Sequence, residues 1–486
     1  MSLYMSYGLY LLVLVSIGVV AYGRSHSLDD FVLAGRRLGA WVVAISAKAS
    51  DMSGWLLLGL PGQAFAGGVS IVWAAIGCTV GTFFNWTVLA GRLRRYSELL
   101  RAITIPDFLE SRFGGQAGVP IRIISLAVVV VFFTLYIAAQ FKAAGKTVSV
   151  TFGISYHQAV IVSASVIILY TMLGGFFAVA WTDLLQGLLM VVVVVILPII
   201  GVISLGGFAK TADAVLKAGP DMLSVSGGKM GWELWVSLII GNLAWALGYP
   251  GQPHIVVRYM AIKKPEELRK AALISVVWVV LALWGAMCVG LIGVGILGPG
   301  GLSDPETVLV VLAQDFFPGW LAGIAISAMA AAIMSTVDSQ ILVLTSAAVE
   351  DFYRRLINRA APDRLALMLS RTITLAIGLL AIIVTWNSES GVFKFVQYAW
   401  GGLAAGFGPV LIMSLRWKRT TGWGAAAGMA VGLLTVIIWH NVPALAALVW
   451  ELVPAFLFSL LAIVVVSWLT GPPGDDVIEQ FERSLQ

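Results

Sequence analysis

The sequence predicts an all-α polytopic membrane protein with about thirteen transmembrane helices. Three observations carry this. The 486 residues are 59% hydrophobic and 11% charged, against roughly 25% charge in an average soluble domain. The apolar residues fall into runs of about 20, the length that spans a bilayer as a helix. Two runs are broken in matching ways, at Ala47-Lys48-Ala49-Ser50-Asp51-Met52-Ser53-Gly54-Trp55 and at Gly248-Tyr249-Pro250-Gly251-Gln252-Pro253. A break in lipid frees backbone groups at several kcal/mol each unless a substrate, an ion or a wet cavity replaces the lost hydrogen bonds. Paired breaks point to a transporter binding site near the bilayer midplane.

The first run, 4–22, has no positive leader before it and no convincing cleavage site, so it reads as a retained helix. The second, 39–67, carries the first break. Unbroken runs follow at 70–91, 121–147, 158–177 and 183–206. The seventh, 231–255, carries the second break. The remainder are 271–297, 317–348, 368–387, 391–415, 422–440 and 445–470. The long connectors 92–120 and 207–230 have room for short interfacial helices. The tail, 471–486, is too short for a kinase or other signalling domain.

Basic residues set the orientation. Twenty-three of the 30 fall in or beside alternate connectors, from Arg24 to Arg122 and from Arg258 through Arg359 to Arg483. Four fall on the opposite side: Lys210, Lys217, Lys229 and Lys394. Lys48, Lys142 and Lys146 lie within helices. The expected topology is therefore N-terminus outside, C-terminus cytoplasmic. The broken segments are offset by five, an odd number. The units 39–206 and 231–415 must then run in opposite senses, an inverted repeat with one leading helix and two trailing helices at 422–470.

Net charge +5 reports this topology rather than a nucleic-acid surface. Cys78 and Cys288 lie in separate apolar runs and imply no disulfide framework. No HExxH, GxSxG or Walker pattern occurs and the four histidines are scattered, which argues against an enzyme. No repeated filter-like loop or ring of like charges argues for a channel.

Acids inside a membrane are functional candidates. Asp51, Asp183 and Asp338 qualify, although Asp183 also reads as an acid at a helix N-terminus and Asp51 as a cap on the second half of its broken helix. Ser335 and Thr336 are adjacent hydroxyls that suit a hard cation or serve helix packing. Tyr136, Trp245 and Tyr249 are candidate pocket walls, the last two at i and i+4. Lys48 adjoins the first break within reach of Asp51. Lys142 has room to snorkel outward.

These residues resemble the solute:sodium symporter family over nearly the whole chain, most closely its sodium/proline branch. The resemblance is carried by Ser50-Asp51-Met52-Ser53-Gly54-Trp55-Leu56-Leu57-Leu58-Gly59-Leu60-Pro61-Gly62, Asn85-Trp86, Ala178-Val179-Ala180-Trp181-Thr182-Asp183, Gly248-Tyr249-Pro250-Gly251-Gln252-Pro253-His254, Met334-Ser335-Thr336 and Phe407-Gly408-Pro409. Together they are specific; singly each is weak. The resemblance implies a leucine-transporter-type fold with an extra leading helix and a plasma-membrane symporter of the bacterial inner-membrane kind. It implies a sodium site from the carbonyls of Ala49, Met52 and Ala332 with the hydroxyls of Ser335 and Thr336. It implies a proline site at Ser53, Gly54, Tyr136, Trp245 and Tyr249, and coupling roles for Asp51 and Asp183, with no cofactor. Lys48 departs from the family's small residue and Lys142 from an apolar one. Proton coupling through Lys48 is therefore the alternative, followed by a transporter-like sensor.

Overall fold

The computed structural model describes residues 2–22, 34–172, 176–358, 360–386 and 388–485. Arg24 and Arg359 of the topology argument lie outside the described residues. Among those described, the one β pairing is an isolated bridge between Leu38 and Ile262, and everything else regular is helical. Among the described residues, ten helices are long and apolar enough to cross a membrane.

In chain order, α1 is Ser2–Tyr22. The second run divides into α2 (Ala40–Asp51) and α3 (Leu60–Gly67), separated by the break and a π turn at Trp55–Gly59. The third becomes α4 (Val72–Phe84) and α5 (Ala90–Leu99). The connector helix α6 is Ile105–Phe113, started by Thr104, whose hydroxyl accepts from Asp107 N. Then come α7 (Gly118–Phe152), α8 (Tyr156–Thr171) and α9 (Phe176–Ser204). A reciprocal Ser155–Gln158 cap opens α8. The connector helix α10 is Phe208–Ala218. The second break divides α11 (Trp245–Gly248) from α12 (Pro253–Met260) through a tight turn at Tyr249–Gly251. Finally come α13 (Leu268–Leu297), α14 (Val308–Phe316), α15 (Gly319–Ser346), α16 (Asp363–Trp386), α17 (Val392–Arg416), α18 (Gly422–Asn441), α19 (Leu452–Leu469) and a short tail helix, α20 (Asp475–Arg483).

Two expectations need correcting. Several helices outrun their apolar stretches: the third pass reaches Leu99 and the ninth continues as a π-helix to Ile357. Some of their polar side chains bond neighbouring segments; Arg94, for example, donates to Ile262 O and pairs with Glu98. Asp183 also does not begin its helix. It lies seven residues beyond Phe176 and is fully buried.

Helix pairing repeats at an interval of five passes. α2 packs on α9 as the Tyr249–Gly251 turn packs on α17. α13 packs on α2 and α3 as α4 and α5 pack on α11 and α12. α9 packs on α15 as α17 packs on α7. Close approach needs small residues. A side chain at Gly81 of α4 would collide with Tyr249 and the Ala246 backbone. One at Gly290 of α13 would collide with Pro61 O.

Candidate functional site

The last turn of α2 ends at Asp51 because Met52 leaves helical geometry (φ −87°, ψ 61°). Ser53 N–H turns back to Asp51 O, and Gly54 N–H donates to Gln140 Oε1 of α7 at 2.8 Å. Gly54 is required here, since a Cβ would meet Ala143 Cβ at 2.7 Å. Tyr136 lies one turn from Gln140 and reaches Ser53 Oγ at 3.4 Å.

On one side of this turn stands α15. Ser335 Oγ donates to Ala49 O at 2.9 Å and Thr336 Oγ1 to Ser50 O at 3.0 Å. Both hydroxyls also reach Ala332 O, at 3.2 and 3.0 Å. Ala49, Ala332, Ser335 and Thr336 are thus brought together. Met52 sits in the break, and the acceptor beside Ala49 is Ser50 O instead. Two hydroxyls and three carbonyls converge, an oxygen-only set suited to a hard monovalent cation.

On the other side the Lys48 ammonium lies 2.6 Å from Asp51 Oδ2 and 2.9 Å from Thr82 Oγ1, over the Tyr249 ring at 4.8 Å. All four residues are completely buried.

Below these lies a network that sequence reasoning missed. Arg258 of α12 had been counted with the inner connectors, yet it is 1% exposed. Its Nη2 lies 2.8 Å from Asp183 Oδ2, 2.5 Å from Ser50 Oγ and 2.6 Å from Ser339 Oγ, and its Nε 2.7 Å from Ser46 Oγ. Ser46 and Ser50 also donate to Asp183. Asp338, beside Ser339, keeps one buried oxygen without a hydrogen-bond partner. The available signal was an arginine inside the apolar stretch Ile255–Met260. Buried ions persist where each is paired and hydrogen-bonded, so this network fastens α12 to α2, α9 and α15.

The second break has a different character. Asn85 Nδ2 donates to Tyr249 O at 2.8 Å, and Gln252 Nε2 reaches Gly248 O and Trp400 O. Trp245 stacks on Trp55 with centroids 5.0 Å apart, and Phe393, Trp400 and Trp450 complete a box around it. A side chain at Gly248 would fall inside the Trp400 indole. The indole N–H groups of Trp55, Trp245, Trp400 and Trp450 are all buried without a partner.

Phe393 lies at the start of α17, whose Val392 and Phe393 amides donate to Glu306 at 2.9 Å. Lys146 pairs with Glu306 and Asp304 at 2.5 and 2.7 Å. Lys142 donates to Ser388 O and lines, with Lys146, a cavity of about 730 Å³.

A model of the Sodium:solute symporter family matches residues 31–432. The High-affinity proline transporter PutP of Bacillus subtilis is 42% identical over 468 residues, covering 96% of this chain and 98% of that one. The Sodium/proline symporter of Escherichia coli is 39% identical over 482 residues, covering 98% and 94%. A solved Na+-coupled sialic acid symporter superposes with a TM-score of 0.81 at 19% identity over 98% of each chain. Mhp1, a nucleobase-cation-symport-1 family transporter, superposes at 0.55 and 14% identity, covering 94% and 99%. The two structures establish a leucine-transporter-type fold for this multi-pass membrane protein. With the match to residues 31–432 and full-length relatives at about 40% identity, the chain belongs to the sodium:solute symporter family.

Proposed function

We propose that the chain imports L-proline, or a related small amino acid, together with sodium by alternating access. The observation that carries the reading is the convergence of Ser335, Thr336 and Ala332 on the carbonyls at the end of α2. The names of the full-length relatives support the same pair of ligands. Sodium takes those oxygens, with Met52 O joining them, once the hydroxyl protons turn away. Sodium then orders the broken helix against α15, and this favours substrate; by linkage the substrate favours sodium equally.

Proline sits between the breaks. Its carboxylate takes the Gly54 amide now held by Gln140, and Ser53 and Tyr136 lie beside it. Its apolar ring packs on Trp245 and Tyr249. Asp183 and Asp338 line the inner ion path, with Arg258 as the gate partner of Asp183. The units 39–206 and 231–415 move against each other, with the N-terminus outside and the C-terminus inside a bacterial inner membrane.

The direct Lys48–Asp51 contact favours a second reading, proton coupling at this pair. Radiolabelled proline uptake into proteoliposomes, with sodium and proton gradients imposed separately, tests both. Uptake driven by sodium alone supports the first, and uptake driven by protons alone the second. No proline uptake under either gradient removes proline as the substrate.

A further inference from the structure

We infer that Lys48 is a positioning residue that lowers the chain's sodium affinity by neutralising Asp51. The inference rests on the sodium-coupled reading above.

Lys48 and Asp51 are one turn apart on α2 and 2.6 Å apart through their side chains. Neither touches solvent. The three ammonium protons have three destinations: Asp51 Oδ2, Thr82 Oγ1 and the face of the Tyr249 ring. The side chain is therefore fixed on the face toward α4 and the second break. The two residues between Lys48 and Asp51 are Ala49 and Ser50, whose carbonyls face Ser335 and Thr336. Cation oxygens, carboxylate and ammonium all belong to a single turn, which advances only about 5 Å along the axis.

At that separation, in a medium with far less screening than water, each charge acts on a bound ion. Asp51 alone attracts sodium to the turn, and Lys48 alone repels it. Held in contact they cancel, so the turn stays ordered while its pull on sodium is reduced. Asp183 has its own cation in Arg258. Lys48 is thus assigned to Asp51, and its removal exposes one negative charge beside the ion site.

The test is a charge cycle on the full chain in proteoliposomes, reading the sodium concentration for half-maximal proline uptake. Sodium-dependent thermal stabilisation without proline is read alongside. Lys48→Met is expected to lower the half-saturating sodium about tenfold, and Asp51→Asn to raise it by a similar factor. The double variant is expected to return within about threefold of wild type, because the two charges act through each other. Lys48→Arg keeps the wild-type value. Structural damage alone moves both single variants toward weaker sodium and does not cancel.

Unchanged or weaker sodium dependence in Lys48→Met overturns the inference. If that variant does not insert, Lys48→Gln, which keeps a hydrogen bond without charge, is read by thermal stabilisation with the same two outcomes. Wild-type uptake that ignores sodium sinks the sodium reading itself, whereas sodium-driven wild type with an unmoved Lys48→Met sinks only this inference.

Discussion

The two breaks occupy equivalent places in the helix pairing, yet they are built from different chemistry. The first gathers polar groups: hydroxyls of α15, the Lys48–Asp51 pair, and Gln140. The second is walled by indoles and a phenol, with amides of Asn85 and Gln252 holding only its backbone. A free backbone end in lipid has the same need in both places. What differs is the candidate ligand. The first break gathers oxygens, as a small hard cation requires. The second gathers aromatic faces, as an apolar ring requires. On the proposed function, one topology repeated twice gives two unlike half-sites, joined where Trp55 of the first stacks on Trp245 of the second.

The strongest way to break that division is to remove the hydroxyls. Ser335→Ala with Thr336→Ala deletes two of the proposed ligands while leaving the aromatic box intact. A lost hydrogen-bonding partner in a buried polar site costs about 1–3 kcal/mol, so two together predict roughly a 100-fold or larger rise in half-saturating sodium. Proline affinity at saturating sodium should stay near wild type. Equal losses for both ligands, measured by binding to the purified variants, would dissolve the distinction between the half-sites.

Trp245→Ala probes the other side. Its ring contacts four aromatic neighbours, and truncating a buried aromatic that packs on a ligand costs about 2 kcal/mol, near 30-fold in proline affinity. Sodium-induced thermal stabilisation without proline should hold within about threefold. Unaltered proline affinity removes Trp245 from the pocket. Asn85→Ala is smaller and acts on stability. It strips Tyr249 O of its donor, which predicts a loss of about 1–2 kcal/mol and a melting temperature lower by a few degrees. A wild-type melting curve would mean that Gln252 and packing hold the second break without Asn85.

How much of this was legible beforehand follows the range of each interaction. Apolar run length gave the helices, and Gly, Pro and Asp inside the runs gave the breaks, because both are local properties. The grouping of Ala49 with Ala332, Ser335 and Thr336 followed from the family resemblance, and the folded chain brings them together. The burial of Arg258 was not legible because a charge near the end of an apolar run reads as topology. Its partners Ser46, Asp183 and Ser339 come from three other helices, and no spacing announces them. Trp400 and Trp450 were missed for the same reason, lying about 150 and 200 residues beyond the break they surround.

The smallest predicted effect sharpens the comparison most. Gln140 Oε1 accepts the Gly54 amide at the first break, while its own Nε2 is buried without a partner. On the proposed function Gln140 is a stand-in acceptor, present until a carboxylate takes the Gly54 N–H. Gln140→Leu should then destabilise the ligand-free protein by about 1 kcal/mol. Proline supplies the missing acceptor, so the proline-saturated protein should lose less, and the gap in melting temperature between the two should widen. A gap that narrows would instead make Gln140 part of the cradle for bound substrate. In the first case the polar break serves both ligands in turn: carbonyls to sodium on one side, one amide to the substrate on the other. The aromatic break then supplies fit around the ring, and the polar break couples the two ligands.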